Sequence, residues 1–353
     1  MRVSRNLAAL FEVGSPDAVA MQNCDTSYLP KIRRTVQRRH GLSIEEVNAD
    51  HLSGHGEPVI LTDVISAWPA LSKWSFQFFR ERYGEDFVFL SGGIYGTSKR
   101  LTSLRQFLDY VEAPSRRPGG FWIDDVTKLP RPESSEDTAA PLRLYDREAF
   151  LRHAELLEDI KPAPHCIEDW LALLPDNFQK LLQGTRYHPR LLIIGPEGSK
   201  THLHYDFLHS CGSLAQIVGS KRCILFPPTD SDFLYDRDVD PEHPDLQRFP
   251  LFEKATAFCC TLNPGELLLI PSRWWHHVSS AQKSITVAYT FFNRANFPQY
   301  FTSLFKHLPQ ILDDFSRIPG WQGQLGVKWT SRDFEFTEPP SGGDDPPLGK
   351  ESS

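Results

Sequence analysis

The 353-residue sequence predicts a mainly β protein with flanking helices, its core a sandwich or barrel of the jelly-roll kind. Three observations predict this. From Arg190 onward the chain is a succession of short apolar runs, RLLIIG, LAQIVGSKRCILFPP, ATAFCCTL, ELLLIP and SITVAYTFFN. Gly, Pro and Asn turns separate them, at a spacing that suits strands. The 28 prolines fit many strands ended by turns, and a chain 40% hydrophobic can bury a large core, as one big domain or two modest ones.

Before that core the character is mixed. Residues 1–55 are mixed and polar, with a helix expected over SYLPKIRRTVQRRH, its basic side chains forming a solvated face or, as the alternative, a contact for an acidic partner. EPVILTDV, Glu57 to Val64, reads as a buried strand. WSFQFFRERYG reads as a helix that Ser75 caps and Gly84 stops, with Phe76, Phe79 and Tyr83 on one face. DFVFLSGG is a further strand, and TSLRQFLDYVE an amphipathic helix capped by Thr102 or Ser103. LPRPESSEDTAAP, Leu129 to Pro141, is Pro/Ser/Glu-rich without period and predicts a mobile surface loop. IEDWLALLP predicts a short helix.

Within the core, IVGSKRCILF places a Gly-Ser pair between two apolar runs and predicts a hairpin. FPQYFTSLFKHLPQILDDF predicts a helix with Phe301, Leu304, Phe305 and Leu308 as its apolar residues, and TEPPSGGDDPPLGKESS a disordered tail. The expected layout is an N-terminal segment 1–55, a domain 56–296 with its core at 190–292 and an inserted loop at 129–141, a helical region 297–336, and a tail 337–353.

The bulk properties narrow the function. Asp+Glu 45 against Lys+Arg 38 gives a net charge of −7, which argues against nucleic acid as the main partner. No stretch has the eighteen or so apolar residues that a membrane helix needs. The basic N-terminus breaks its apolar run at Glu12, too early for a signal peptide. Cys24, Cys166, Cys211, Cys223, Cys259 and Cys260 show neither CxxC spacing nor disulfide-framework density, so reduced thiols and a cytoplasmic location are expected.

THLHYDFLHS, Thr201 to Ser210, packs three histidines and an aspartate into ten residues, and PSRWWHHV supplies His276 and His277 further on. Residues two apart on a strand share a face, so His204 and Asp206 can reach one metal together. A third ligand must come from elsewhere, with His276 or His277 as the candidates. A His202/His204/Asp206 set is the alternative by strict alternation. Two imidazoles and one carboxylate on one face of an octahedron leave three positions open, the donor set of non-haem Fe(II) oxygenases. A structural zinc site would use cysteines and close its shell. Lys221 starts a strand in the same sheet. Beside such a metal, its ammonium and the Thr201 hydroxyl can grip a dicarboxylate.

The combination T-x-x-H-x-D at Thr201, G-x-K-R-C-x-L-F-P-P at Gly219 and P-G-E-x-L-x-I-P-x-x-W-W-H-H at Pro264 resembles the Jumonji-C (cupin-like) 2-oxoglutarate/Fe(II) oxygenases. Among these it is most similar to the branch that hydroxylates an asparagine of hypoxia-inducible factor. The strong match runs from about Arg190 to Phe292, and EPVILTDVISAWPALSKW resembles the segment that opens the family's domain.

The resemblance implies a double-stranded β-helix core. It makes His204, Asp206 and His276 the iron ligands, and Lys221 and Thr201 the 2-oxoglutarate binders. It sets His276, directly after the paired tryptophans, ahead of His277, which becomes a neighbour packing outward or hydrogen-bonding. It makes His202 a non-ligand on a bent strand, His209 a pocket-wall or surface residue, and Trp274 and Trp275 packing residues. It aligns Trp122 in GGFWIDDV with the family's co-substrate-binding tyrosine, the indole N–H serving as donor.

The implied cofactors are Fe(II), 2-oxoglutarate and O₂, and the implied reaction puts oxygen into a C–H bond with release of succinate and CO₂. A protein or peptide side chain is the expected substrate. A small-molecule or modified-tRNA hydroxylase, or a non-catalytic cupin binding module, is the alternative. The polar residues that position asparagine in the hypoxia-factor branch are replaced here by Leu208, Ser210, Ala288 and Thr290, so that substrate does not transfer. Asp124 and Asp125 either read a basic substrate at the pocket mouth or belong to a solvated loop. The C-terminal helices suggest a homodimer interface.

Overall fold

A computed structural model describes residues 30–173 and 190–316, apart from 55, 93–97, 116, 125, 126, 128, 136, 138 and 139. Most of segment 1–55, residue Asp125, the end of the 297–336 region and the 337–353 tail lie outside the described residues.

The strands in order are β1 (Ile32–Thr35), β2 (Gln37–Arg39), β3 (Val59–Leu61), β4 (Phe87–Gly92), β5 (Ser98–Ser103), β6 (Phe121–Ile123), β7 (Pro130–Arg131) and β8 (Arg143–Asp146). They continue with β9 (Arg190–Gly195), β10 (Lys200–His204), β11 (Cys211–Val218), β12 (Lys221–Phe226), β13 (Thr256–Leu262), β14 (Leu267–Ile270), β15 (Trp275–Ser280) and β16 (Ser284–Phe291). Two sheets result. The minor one runs β1-β13-β12-β15-β10, and the major one runs β2-β3-β14-β11-β16-β9-β8-β4-β5-β6-β7. Core strands β9 to β16 alternate between the sheets except for the antiparallel pair β12 and β13, both in the minor sheet, which is the jelly-roll arrangement.

The core lies in three layers. Between the sheets, Leu214, Leu268 and Ile270 of the major sheet meet Cys223, Leu225, Phe258 and Val278 of the minor one. Behind the major sheet, Phe79, Phe107, Leu108 and Phe150 pack onto Leu192, Ile194 and Val287. Outside the minor sheet, Phe226, Ala257 and Trp275 are covered by Leu234, Val239 and Phe252 from the 228–254 segment.

The helices behind the major sheet follow their local signals. Ser75 accepts from the Phe78 N–H to start helix Phe76–Tyr83, and Gly84 ends it. Helix Leu104–Glu112 is capped by Ser103, which accepts from Gln106. Thr102 is instead a buried residue of β5. The C-terminal helix spans Phe297–Ser316.

Four expectations are corrected. The stretch expected as a helix from Ser27 to His40 forms β1 and β2, parallel additions to β13 and β3. Val36 between them is 1% exposed, and Arg38 pairs with Glu266 at 2.7 Å. Docking on two sheet edges thus outweighs helix propensity.

The Gly-Ser pair does not close a hairpin. β11 pairs with β14 and β16, and β12 pairs with β13 and β15, so Gly219 and Ser220 carry the chain from one sheet to the other. Gly219 has φ +69°, and a Cβ there would lie 2.1 Å from the Lys283 carbonyl oxygen.

The described part of 129–141 is stapled rather than free, because Asp137 is fully buried and paired with Arg131 at 2.7 Å. IEDWLALLP yields only the 3₁₀ turn Leu171–Leu173 among the described residues.

Candidate metal centre

His204 ends β10, His276 sits one residue into β15, and the two are register partners. Asp206 follows two residues beyond β10. One donor atom from each of these three residues lies within 4.8 Å of the others. The pairing of β10 with β15 is irregular between Thr201 and His204. That bulge lets Thr201 and His204, three apart, both line one cavity, while the His202 ring goes to the His277 ring at 5.8 Å. His202 is therefore on the far side from the triad, despite the alternation that would join it to His204.

The donor set suits a divalent transition metal. His204 Nδ1 lies 2.7 Å from the His202 carbonyl oxygen, and His276 Nδ1 lies 3.0 Å from that of Trp274. Carbonyls only accept, so each Nδ1 carries the proton and each Nε2 keeps its lone pair for a metal. Burial, and then the neighbouring His276, holds the His204 imidazole well below its usual pKa, in the neutral form that a ligand needs. Burial pushes the Asp206 carboxyl up, opposed by His276 and Arg147. Gly212 leaves room for that carboxylate, since a Cβ there would lie 2.3 Å from Asp206 Oδ2.

A cavity of about 350 Å³ opens on the triad. Lys221, at the start of β12, lies in its wall and is 4% exposed. Its Nζ donates to Ser280 Oγ at 3.2 Å, and Ser199 and Ser284 back that hydroxyl at 3.0 and 3.1 Å. No carboxylate pairs with it among the described residues. Burial pushes its pKa down to about 8, and the nearby Arg143 charge adds to the fall.

The structure brings Thr201, Lys221, His204, Asp206 and His276 to this one cavity, along with Ser210, Ala288 and Thr290. Leu208 is buried outside the lining at φ +55°. Trp275 lines the cavity, and Trp274 packs edge-on against Phe258.

Other expected residues go elsewhere. Trp122 is not brought to the cavity. It is a buried residue of β6 between Arg100 and Arg131, and its indole N–H donates to Glu133 at 2.8 Å. Asp124 Oδ1 accepts from the Thr127 N–H and hydroxyl, away from the lining. His277 is fully buried on the opposite face of β15, 3.6 Å from Glu242. The His209 carbonyl accepts from Asn296 and Ser272.

Among the lining residues that sequence reasoning missed are Tyr145, Arg147 and Arg237. Tyr145 and Arg147 are two apart at the end of β8, the period-2 signal of a shared face. Their stretch, LYDREAF, carries no motif that singles them out.

A cupin-like domain model matches residues 45–297, and the chain belongs to that family. Its relatives include Jumonji C proteins. It is 30% identical to human HSPB1-associated protein 1 over 243 residues, 64% of this chain and 45% of that protein. It is 27% identical to lysine-specific demethylase 8 of Xenopus tropicalis over 267 residues, 72% of this chain and 52% of the relative. It is 29% identical to Jumonji C domain-containing protein 5 of Drosophila melanogaster over 248 residues, 66% and 54%. The chain thus spans about half the length of these relatives. The finer likeness to the asparaginyl hydroxylase stays one of motif.

Proposed function

We propose that this chain is an Fe(II)- and 2-oxoglutarate-dependent oxygenase that hydroxylates a C–H bond on a protein or peptide side chain, with release of succinate and CO₂. The observation that supports this best is Lys221. A buried ammonium with no carboxylate partner among the described residues is costly unless an anion reaches it. It shares one cavity with a two-His, one-carboxylate set whose Nε2 atoms keep their lone pairs for a metal. A divalent metal on the Nε2 atoms, with a dicarboxylate reaching from it to Lys221, would answer both needs.

In this reading His204, Asp206 and His276 would hold the iron, which would bind the co-substrate and O₂. The bound metal supplies the oxygen activation, and the protein supplies orientation and a dry cavity. Lys221 takes the distal carboxylate through a charge-assisted hydrogen bond, with the Thr201 hydroxyl as second donor. The Tyr145 phenol lies in the same lining and is a third candidate donor. The serines behind Lys221 fix its ammonium. The backbone carbonyls behind His204 and His276 fix their tautomers.

The experiment is an unbiased one. The protein is incubated with Fe(II), 2-oxoglutarate and host lysate, and peptides are searched by mass spectrometry for a gain of one oxygen. The reading expects such peptides in the wild-type sample and none in the His204→Ala sample. Equal oxidation in both would reject it.

A further inference from the structure

We infer that the cavity mouth is built to take an acidic segment of a peptide substrate, through Arg147 and Arg237. The inference rests on the oxygenase reading and names the substrate class for the same site. Arg147 follows the end of β8 in the major sheet, and Arg237 closes the 3₁₀ segment Pro228–Arg237 that leaves the minor sheet. Two segments from different sheets thus bring a guanidinium to one lining. Neither arginine makes a salt bridge or hydrogen bond among the described residues. The carboxylate next to Arg147 in sequence, Asp146, is engaged by Arg152 instead.

The Arg147 side chain and the Arg237 backbone are both held. The Arg147 guanidinium lies 5.3 Å from the centre of the Tyr145 ring, which also lines the cavity. Arg237 has φ +72° and is the third consecutive non-glycine residue in the left-handed region, after Tyr235 and Asp236. Such a backbone persists only where its surroundings hold it. Here the Tyr235 hydroxyl accepts from the Leu251 N–H at 2.8 Å, and its ring lies 5.0 Å from Phe249.

The charge count is one-sided. Asp206 is the one carboxylate among the lining residues, and the triad takes it. Lys221 at the base is matched by the co-substrate. Arg147 and Arg237 remain, so the mouth is locally positive on a protein whose net charge is −7.

A lysine or methyl-lysine side chain would meet like charge there, and a glutamate or aspartate would meet two forked donors. Tyr205 and Phe207, on either side of Asp206, are 43% and 42% exposed and give apolar rings to the residues that flank the acid.

The test is fluorescence polarisation on the full chain loaded with Mn(II) and 2-oxoglutarate. Two labelled peptides share a Gly/Ala/Leu frame, one bearing glutamates and the other lysines. The wild type is expected to bind the glutamate peptide at least about tenfold more tightly at low salt, less so as salt rises. Arg147→Glu/Arg237→Glu reverses the preference, and Arg147→Gln/Arg237→Gln abolishes it. No charge preference in the wild type, a preference for the lysine peptide, or a glutamate preference that survives both double variants would overturn the inference. Succinate formation from 2-oxoglutarate without peptide, measured alongside, reports on the oxygenase reading alone. Its failure would sink that reading, while the polarisation result still judges the charge preference.

Discussion

His204 and His276 each use Nδ1 on a backbone carbonyl, so only Nε2 is left to face the cavity. The same economy governs Gly212, whose missing side chain is the space that Asp206 occupies. Gly212→Ala meets the movable end of a side chain rather than backbone, so the fold should survive. The carboxylate must shift, and metal affinity measured by Mn(II) titration should drop roughly 10- to 100-fold while the circular dichroism stays unchanged. Unchanged affinity would mean that Asp206 is not a ligand.

Lys221 predicts a pH effect. Its pKa sits near 8 in the fold and near 10.5 in an unfolded chain. The protonated form grips a carboxylate, so the KM for 2-oxoglutarate should be lowest below about pH 8 and climb as pH rises through that value. For stability the sign is opposite. The buried charge costs stability below about pH 8, and the cost fades as pH climbs from about 8 to 10.5. Lys221→Met should raise the KM roughly 10- to 100-fold, as expected for losing about 1.5–3 kcal/mol of charged hydrogen bond, and should flatten its pH dependence.

At this scale the sequence was most legible where chemistry is local. Thr201, His204 and Asp206 stand within six residues, and Lys221 and His276 each fall in a dense motif. Tyr145, Arg147 and Arg237 were hidden because only the tertiary fold brings them to the cavity. The resemblance aligned Trp122 with the family's tyrosine, but Trp122 lies on β6 outside the cavity lining, and Tyr145 on β8 stands in it.

Among the elements, β10 and the Gly219 crossing do most to shape the site. The bulge in β10 turns Thr201 and His204 inward together, and the crossing delivers Lys221 to the start of β12 opposite them. Gly219→Val forces a branched side chain into a left-handed backbone against the Lys283 carbonyl. It should lower the unfolding free energy by at least about 2 kcal/mol, read as a shifted urea midpoint at unchanged slope. A midpoint within error of wild type would show that the crossing tolerates another backbone path. The core strands were readable from their apolar runs and turns. The crossing was misread because a Gly-Ser turn between apolar runs looks the same whether the strands pair or part. β1 and β2 were misread because they form only by adding to sheet edges, β1 to β13 more than two hundred residues away in sequence and β2 to β3.

For the whole molecule, the two sheets and the cover over each form one body around the cavity, so a ligand in the cavity should stabilise all of it. Mn(II) and 2-oxoglutarate, each at about a hundredfold over its dissociation constant, add about 2.7 kcal/mol of linkage apiece, enough to raise the melting temperature by several degrees. His204→Ala should remove that rise without lowering the melting temperature of the ligand-free protein by more than a few degrees.

The most direct test is conversion of 2-oxoglutarate to succinate under air, with and without Fe(II), by the wild type and by His204→Ala. The account predicts succinate from the wild type only when Fe(II) is present, and none from the variant. Equal succinate formation by the variant, or formation that ignores Fe(II), would contradict it.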